Sequence, residues 1–404
     1  KPMFRALKGL HCAGQHLLLN GILKYNSSFA QKQPLNGEKV MKIPRRSFLK
    51  GSAVGAIAAA SSFPAPAISK SRKRWKLITT WPKNFPGLGT TANEIGANIT
   101  KMSEGLLEVK VFGAGEIVPA FELFDAVRGG IAEMGHGWDG YWIAKHPGAP
   151  FFGGVPNGLA AYEQIAWIHW GGGQKLWDEM WYDFGLQAFV SGVGPPSYFG
   201  WYQKEVNSLT DLKGMKIRMA GLPGEVLNRM GVTSVNVPGG EIMSSLQSGI
   251  VDAVEWGNAW SDLAFGFYKV AKLCYLPGIH EPGPNQSLTI NRDAFNSLSD
   301  DLKEIVKVAA HNGTMRLYSE TVYHNAAAYQ TLKKEKDVNF KRLPDDVISE
   351  FLKVSLDVLY DTAAKDPHAM RIYESYMDYR KRAIELSPTD HLAYLDARSA
   401  QTYA

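Results

Sequence analysis

Apolar residues between positions 75 and 300 alternate between a period of two and a period near 3.6, which predicts short strands separated by short helices. The pattern is clearest from Gly214 to Trp260. Residues 215–219 alternate as a strand, with Arg218 on a different face from its apolar neighbours. Gly221, Pro223 and Gly224 break the chain, residues 225–230 read as a helix, and 235–237 as a second strand. A turn at Pro238-Gly239-Gly240 leads into a helix at 241–248, and a third strand at 250–254 ends on Glu255-Trp256. Strands joined this way should lie parallel with right-handed crossovers, and ligands of such sheets sit beyond the carboxyl ends of the strands. Arg218 and Glu255-Trp256 fall at those ends, which makes them the first candidate site.

The same repeat opens the body of the chain. Strands are predicted at 75–80, 107–112 and 132–135, with helices at 91–103 and 120–129. An aromatic, Gly/Pro-rich span follows at 136–156, then amphipathic helices at 162–170 and 174–184. Further strands are expected at 186–190, 199–203, 272–276 and 287–291. From Ser299 onward the chain reads as almost wholly helical, with helix starts at Ser299, Pro344 and Asp366-Pro367. The expected fold is α/β, with two lobes, a ligand cleft between them, bridging strands and long C-terminal helices. Residues 68–190 are assigned mostly to the first lobe and 191–298 mostly to the second, with crossing segments. Residues 299–404 form a helical region spanning both lobes or a dimer interface.

Charge changes the picture of the first 67 residues. The chain has a formal net charge of +5, but 1–67 hold ten Lys/Arg and one acid, leaving 34 basic against 38 acidic residues beyond them. The body is therefore mildly acidic and no nucleic-acid partner is expected. Arg45-Arg46, a modest apolar run and Ala65-Pro66-Ala67 have the layout of a twin-arginine export signal, assigned to 41–67. Residues 1–40 are read as an upstream segment that is not a domain. The expected location of the mature chain is the periplasm. Of the two cysteines, Cys12 and Cys274, the second lies in an apolar run and reads as a small buried hydrophobe, so no disulfide framework is expected.

Several enzyme signatures are absent. No Gly-x-Gly-x-x-Gly follows a strand, no Gly-x-Ser-x-Gly occurs, and His280-Glu281 is followed by Pro282 rather than by the helix a zincin needs. No catalytic residues are assigned. A periplasmic enzyme using the cleft stays open as the alternative class.

A family resemblance is carried by Thr80-Trp81-Pro82-Lys83-Asn84-Phe85-Pro86-Gly87, Gly113-Ala114-Gly115-Glu116 and Gly171-Gly172-Gly173-Gln174-Lys175-Leu176-Trp177. Lys216-Ile217-Arg218, Val237-Pro238-Gly239-Gly240-Glu241, Glu255-Trp256 and Ala364-Lys365-Asp366-Pro367 extend it. The body resembles the DctP-type substrate-binding proteins of TRAP transporters, and within them the subgroup that binds 2-oxoacids such as pyruvate. The resemblance implies that Arg218 grips a substrate carboxylate, for which a planar guanidinium is suited. It implies Glu255 and Trp256 beside the substrate, holding a sodium ion or, alternatively, calcium. Ser197 stands where the subgroup has a further metal contact, usually an amide. Asp139, Tyr141 and Asn236 complete the substrate-binding candidates, Asp139 being either a cleft acid or a solvated loop residue. The implied partners are a small carboxylate, the membrane subunits of a TRAP permease, and a second copy through the C-terminal helices. A hydroxy acid, sugar acid or sulfonate remains open as the ligand.

Overall fold

The computed structural model describes residues 72–400; residues 1–40 and 41–67, read above as an upstream segment and an export signal, lie outside the described residues. The strands, in chain order, are β1 (Lys73–Thr79), β2 (Leu107–Phe112), β3 (Met134–Trp138), β4 (Leu186–Val193), β5 (Gly200–Tyr202) and β6 (Lys216–Arg218). They continue with β7 (Thr233–Val235), β8 (Ala253–Val254), β9 (Leu273–Leu276), β10 (Asn285–Asn291) and β11 (Asn339–Arg342). One sheet has the order β2-β1-β3-β10-β4, the other β11-β9-β5-β8-β6-β7. In the second sheet β6 lies parallel to both β7 and β8, as the alternation over 214–260 requires. The helix after β6 starts at Gly221 rather than at 225. Pro223 falls in its first turn, where a missing N–H has no intrahelical bond to lose.

Each sheet has one buried cluster of its own, and a larger one runs across both. In the first lobe the helix Leu88–Met102 turns Ala92, Ile95 and Ile99 onto Trp75, Leu77, Leu107 and Leu288. Its spacing of three and four residues is what the period near 3.6 forecast, and each fully buried Ile contributes on the order of 1.5–3 kcal/mol. On the other face Gly135 lets the helix Leu123–Arg128 lie close, since a Cβ there would stand 2.5 Å from Leu123 Cδ2. Phe152 stacks on Trp177 at 4.7 Å in the same layer.

The chain passes between the sheets after β4, after β9 and along the helix Asp300–Lys334. The first two passages lie side by side: Gly194 N donates to Pro284 O at 2.8 Å and Ser197 N to Glu281 O at 3.1 Å. The helix Asp300–Lys334 has 35 residues and so reaches about 52 Å at 1.5 Å per residue. It packs on β4 in the first lobe and on the helix Ala259–Phe265 in the second. The helix Asp345–Ala363 then packs on Gly221–Arg229, and Pro367–Leu386 on Gly173–Tyr182, so the C-terminal helices also touch both lobes.

Several elements depart from the sequence reading: β7 ends at Val235, where a strand over 235–237 is expected, and β8 covers only the end of the expected 250–254. β3 runs to Trp138 instead of ending at Gly135, because Gly135 and Gly137 occupy one face while Met134, His136 and Trp138 fill the other. β11 occupies a stretch read as helical or irregular. It is a short edge strand carrying Lys341 and Arg342, and edge strands of this kind lack the apolar alternation that reveals central ones.

The longer β3 also relocates Asp139, which is neither a cleft acid nor a solvated loop residue. Its side chain is fully buried in the first lobe, where Oδ1 accepts from the Ser287 hydroxyl at 2.5 Å and Oδ2 from Trp177 Nε1 at 2.9 Å. Burial pushes its pKa up to about 6, against the opposing pull of the Ser287 and Trp177 hydrogen bonds. A raised carboxyl favours the fold fully below its ordinary value of 3.8, and that contribution is lost as the pH rises through about 6. Asp139→Asn keeps an acceptor for Trp177 and removes the buried charge. It is expected to unfold at higher denaturant than the parent at pH 8, by up to about 3 kcal/mol, with the difference shrinking towards pH 5. Equilibrium unfolding at the two pH values checks this.

Candidate functional site

The carboxyl ends of β6 and β8 open into a cavity of about 810 Å³, part of it open to solvent. Arg218, the last residue of β6, is 2% exposed and projects into it. Nη1 donates to the Glu255 backbone carbonyl at 2.5 Å and to Glu255 Oε2 at 3.1 Å, and Nε donates to Val237 O at 3.3 Å. The guanidinium also lies 5.3 Å from the Trp256 ring, a cation–π contact. Anchors from both flanking strands therefore fix the fork before any ligand arrives. Tyr141 approaches from the first lobe; burial pushes its hydroxyl pKa up, and the Arg218 charge works against that.

The adjoining wall comes from the two crossing passages. Ser197 on one donates its hydroxyl to Glu281 Oε2 on the other at 2.9 Å, and His280 lies beside it. Glu255 Oε1 lies 3.4 Å from His280 Nε2, and both Oε1 and the two His280 ring nitrogens are buried without a hydrogen bond. One carboxylate oxygen each from Glu255 and Glu281 and one nitrogen of His280 lie within 4.8 Å of one another. The Glu281 pKa is pushed up to about 8, first by burial and then by the negative charge of Glu255, with Ser197 and Arg218 pulling the other way. Two close carboxylates, a hydroxyl nearby and an orphaned buried oxygen fit a hard cation. On that observation the donor set suits sodium or calcium better than a soft metal, His280 being the one nitrogen in it.

The opposite wall is aromatic: Trp81 and Trp138 from the first lobe, Trp256 and Trp260 from the second, with Leu317 of the helix Asp300–Lys334 behind. The lobes meet around the cavity. Phe85 lies 4.6 Å from Phe265 and 6.0 Å from Trp256, and a Cβ on Gly221 would stand 2.8 Å from the Trp138 ring. Gly221 also has φ +65°, so glycine is required there on two counts. The structure is thus a shut cleft.

Of the sequence candidates, Arg218, Glu255, Trp256, Ser197 and Tyr141 all line this cavity. Asp139 is buried behind it, and Asn236 is exposed on the surface because its side chain alternates away from the Val235 and Val237 face. His280 and Glu281 were missed. They sit in the Gly/Pro-rich stretch between β9 and β10, and only the pairing with residue 197 brings them to the site.

A model of the DctP family, described as bacterial extracellular solute-binding protein, family 7, matches residues 78–366. The chain is 33% identical over 323 residues to the monocarboxylate 2-oxoacid-binding periplasmic protein all3028 of Nostoc sp., covering 80% of this chain and 88% of that protein. A TRAP periplasmic solute-binding protein of Colwellia psychrerythraea, solved with calcium and pyruvate, superposes with a TM-score of 0.78 at 34% identity, over 81% of this chain and all of that one. One from Pseudoalteromonas atlantica, solved with sodium and pyruvate, gives 0.78 at 32% identity, over 81% and 99%. With a family match across the whole α/β body and a shut two-lobed cleft, the chain belongs to the DctP family of bacterial extracellular solute-binding proteins, which bind solutes for transport and are not enzymes.

Proposed function

We propose that this protein captures a 2-oxoacid such as pyruvate in the periplasm and passes it, cleft shut, to the membrane subunits of a TRAP permease. The observation that carries the reading is the buried Arg218 fork, pre-set by Glu255 and Val237 beneath an aromatic wall. A ligand carboxylate there gains charge-assisted hydrogen bonds from a guanidinium that is itself almost wholly removed from water. Tyr141 and the four tryptophans enclose the rest of the ligand, so shutting the cleft adds contacts an open cleft cannot make. The similar proteins solved with pyruvate support the ligand class. Pyruvate has about six heavy atoms, which limits affinity to about −9 kcal/mol, near micromolar.

Glu255 and Glu281, with Ser197 and the Trp256 segment nearby, would hold a sodium or calcium ion. When bound, such an ion supplies positive charge to ligand oxygens. Ser197 plays its part through Glu281, because its hydroxyl already donates to that carboxylate. Export by the twin-arginine route is part of the same reading, supported by Arg45-Arg46 and the apolar run behind them. So is a homodimer through the C-terminal helices, where Ile384, Leu386, Leu392, Tyr394 and Leu395 are exposed.

Calorimetry with pyruvate is expected to show no measurable binding for Arg218→Ala, and a loss of about 1.5–3 kcal/mol for Arg218→Lys, whose ammonium cannot make the fork. Unchanged affinity in either variant removes Arg218 from the site. Chelating divalent ions in sodium-free buffer is expected to weaken pyruvate binding at least about tenfold, with Glu281→Gln blunting the response to added calcium. Deleting residues 387–404 is expected to halve the mass seen by light scattering; an unchanged mass takes the dimer contact elsewhere.

A further inference from the structure

The part of the cavity formed by the first lobe carries polar atoms without a hydrogen-bond partner among the described residues. Trp81 and Gln286 both line it, are 2% and 6% exposed, and hold Nε1 and Oε1 respectively without a hydrogen-bond partner among the described residues. Behind them His136 is fully buried, its ring 5.0 Å from that of Trp81 and edge-on to it. Thr80 Oγ1 is another orphan in the same place; its backbone N–H donates to His136 O. Orphaned buried donors and acceptors are rare and costly, so a group of them along one cavity wall points to something that binds there.

Sheet register explains why the wall is polar. Gln286 stands opposite Trp138 on β3 and Gly192 on β4, and a Cβ on Gly192 would approach Gln286 Oε1 to 2.8 Å and Leu317 Cδ2 to 2.6 Å. The glycine therefore makes room for the amide beside Leu317, itself a cavity-lining residue. An alkyl group placed against this wall would displace water and leave an indole N–H and an amide oxygen unmatched. A second carboxylate fares no better: Arg218 is the one cation among the described lining residues, Glu255 and Glu281 are acidic, and burial holds His136 neutral, its pKa pushed down to about 3.

We infer that the first-lobe wall is a neutral polar subsite, with Trp81 Nε1 as donor and Gln286 as acceptor for an uncharged hydrogen-bonding group at the far end of the ligand. The substrate class is accordingly a 2-oxoacid with a hydroxyl or carboxamide tail, in preference to a purely alkyl one or a dicarboxylate. Trp81, Gln286 and Leu317 line the same cavity as Arg218, so such a tail would lie in one continuous pocket with the carboxylate. The inference rests on the reading of the Arg218 end as a 2-oxoacid site.

The test is calorimetry on the purified protein, with the same cation throughout, using four probes. They are pyruvate, 2-oxoglutaramate (carboxamide tail), 5-methyl-2-oxohexanoate (its alkyl isostere) and 2-oxoglutarate (its charged counterpart). The carboxamide is expected to bind at least about tenfold tighter than the alkyl acid, and Gln286→Met, checked for folding by its melting curve, to reduce that ratio to about threefold or less. A purely structural role for Gln286 would lower both affinities together and leave the ratio intact, which would overturn the assignment. So would an alkyl acid that binds as well as the amide, or 2-oxoglutarate as the tightest probe; in both cases the 2-oxoacid reading survives. If none of the four binds, pyruvate included, that reading falls and the subsite with it. Trp81→Phe repeats the comparison for the donor.

Discussion

A guanidinium that is 2% exposed is the constraint around which the rest of this molecule is built. Removing such an ion from water costs several kcal/mol, and the protein offsets that with one carboxylate, two backbone carbonyls and an aromatic face. All of these partners come from the ends of neighbouring strands, so the order β8-β6-β7 is what brings them together. Glu281 then places a second acid beside Glu255. With a monoanionic ligand in place, three negative groups would face one positive one. A divalent ion with both carboxylates ionised restores neutrality, as does a sodium ion with Glu281 protonated. The proposed cation thus follows from the charges gathered in the site, and the Glu281 pKa is raised first by burial and then by the same excess of acid.

The acids of that cluster are distributed so that a bound cation would link the second lobe to the passages between the lobes. Glu255 belongs to the second lobe, whereas His280 and Glu281 ride on a passage between the lobes that is hydrogen-bonded to the other passage through Ser197. A ligand that draws these groups together would act on the segments that join the two sheets. Phe85, reaching from the first lobe to Phe265 and Trp256, adds apolar contact between the lobes. Differential contacts of this kind are what allow a ligand to select one state over another.

Local pattern made much of this legible in the sequence. β2 lies where alternation put it, the starts of the C-terminal helices match their Ser, Pro and Asp signals, and Arg218 with Glu255-Trp256 emerged from strand ends alone. What escaped notice depends on partners distant in the chain. Glu281 reaches the site because it pairs with residue 197, a separation of 84 positions, and no window around residue 281 carries that information. The two glycines of β3 hid the strand's true length, and with it the inward turn of Asp139. β11 was invisible because an edge strand next to solvent can be built from Lys and Arg.

Both lobes use the same device to stiffen what surrounds the ligand. In the first lobe Trp177 donates its indole N–H to buried Asp139, which fixes the turn carrying Trp138 and Tyr141. In the second, Trp201 on β5 donates to buried Asp262 at 2.7 Å, which ties the helix Ala259–Phe265 to its sheet. Burial pushes Asp262 up to about 8, so at neutral pH it is largely protonated and the contact need not hold a full charge in the core. The segment from Glu255 to Asp262 is therefore held at one end by Arg218 and at the other by Trp201. Trp256 sits between those anchors and cannot drift far. A ligand of few atoms has little binding energy to devote to ordering its site, so most of that order has to be built into the protein beforehand.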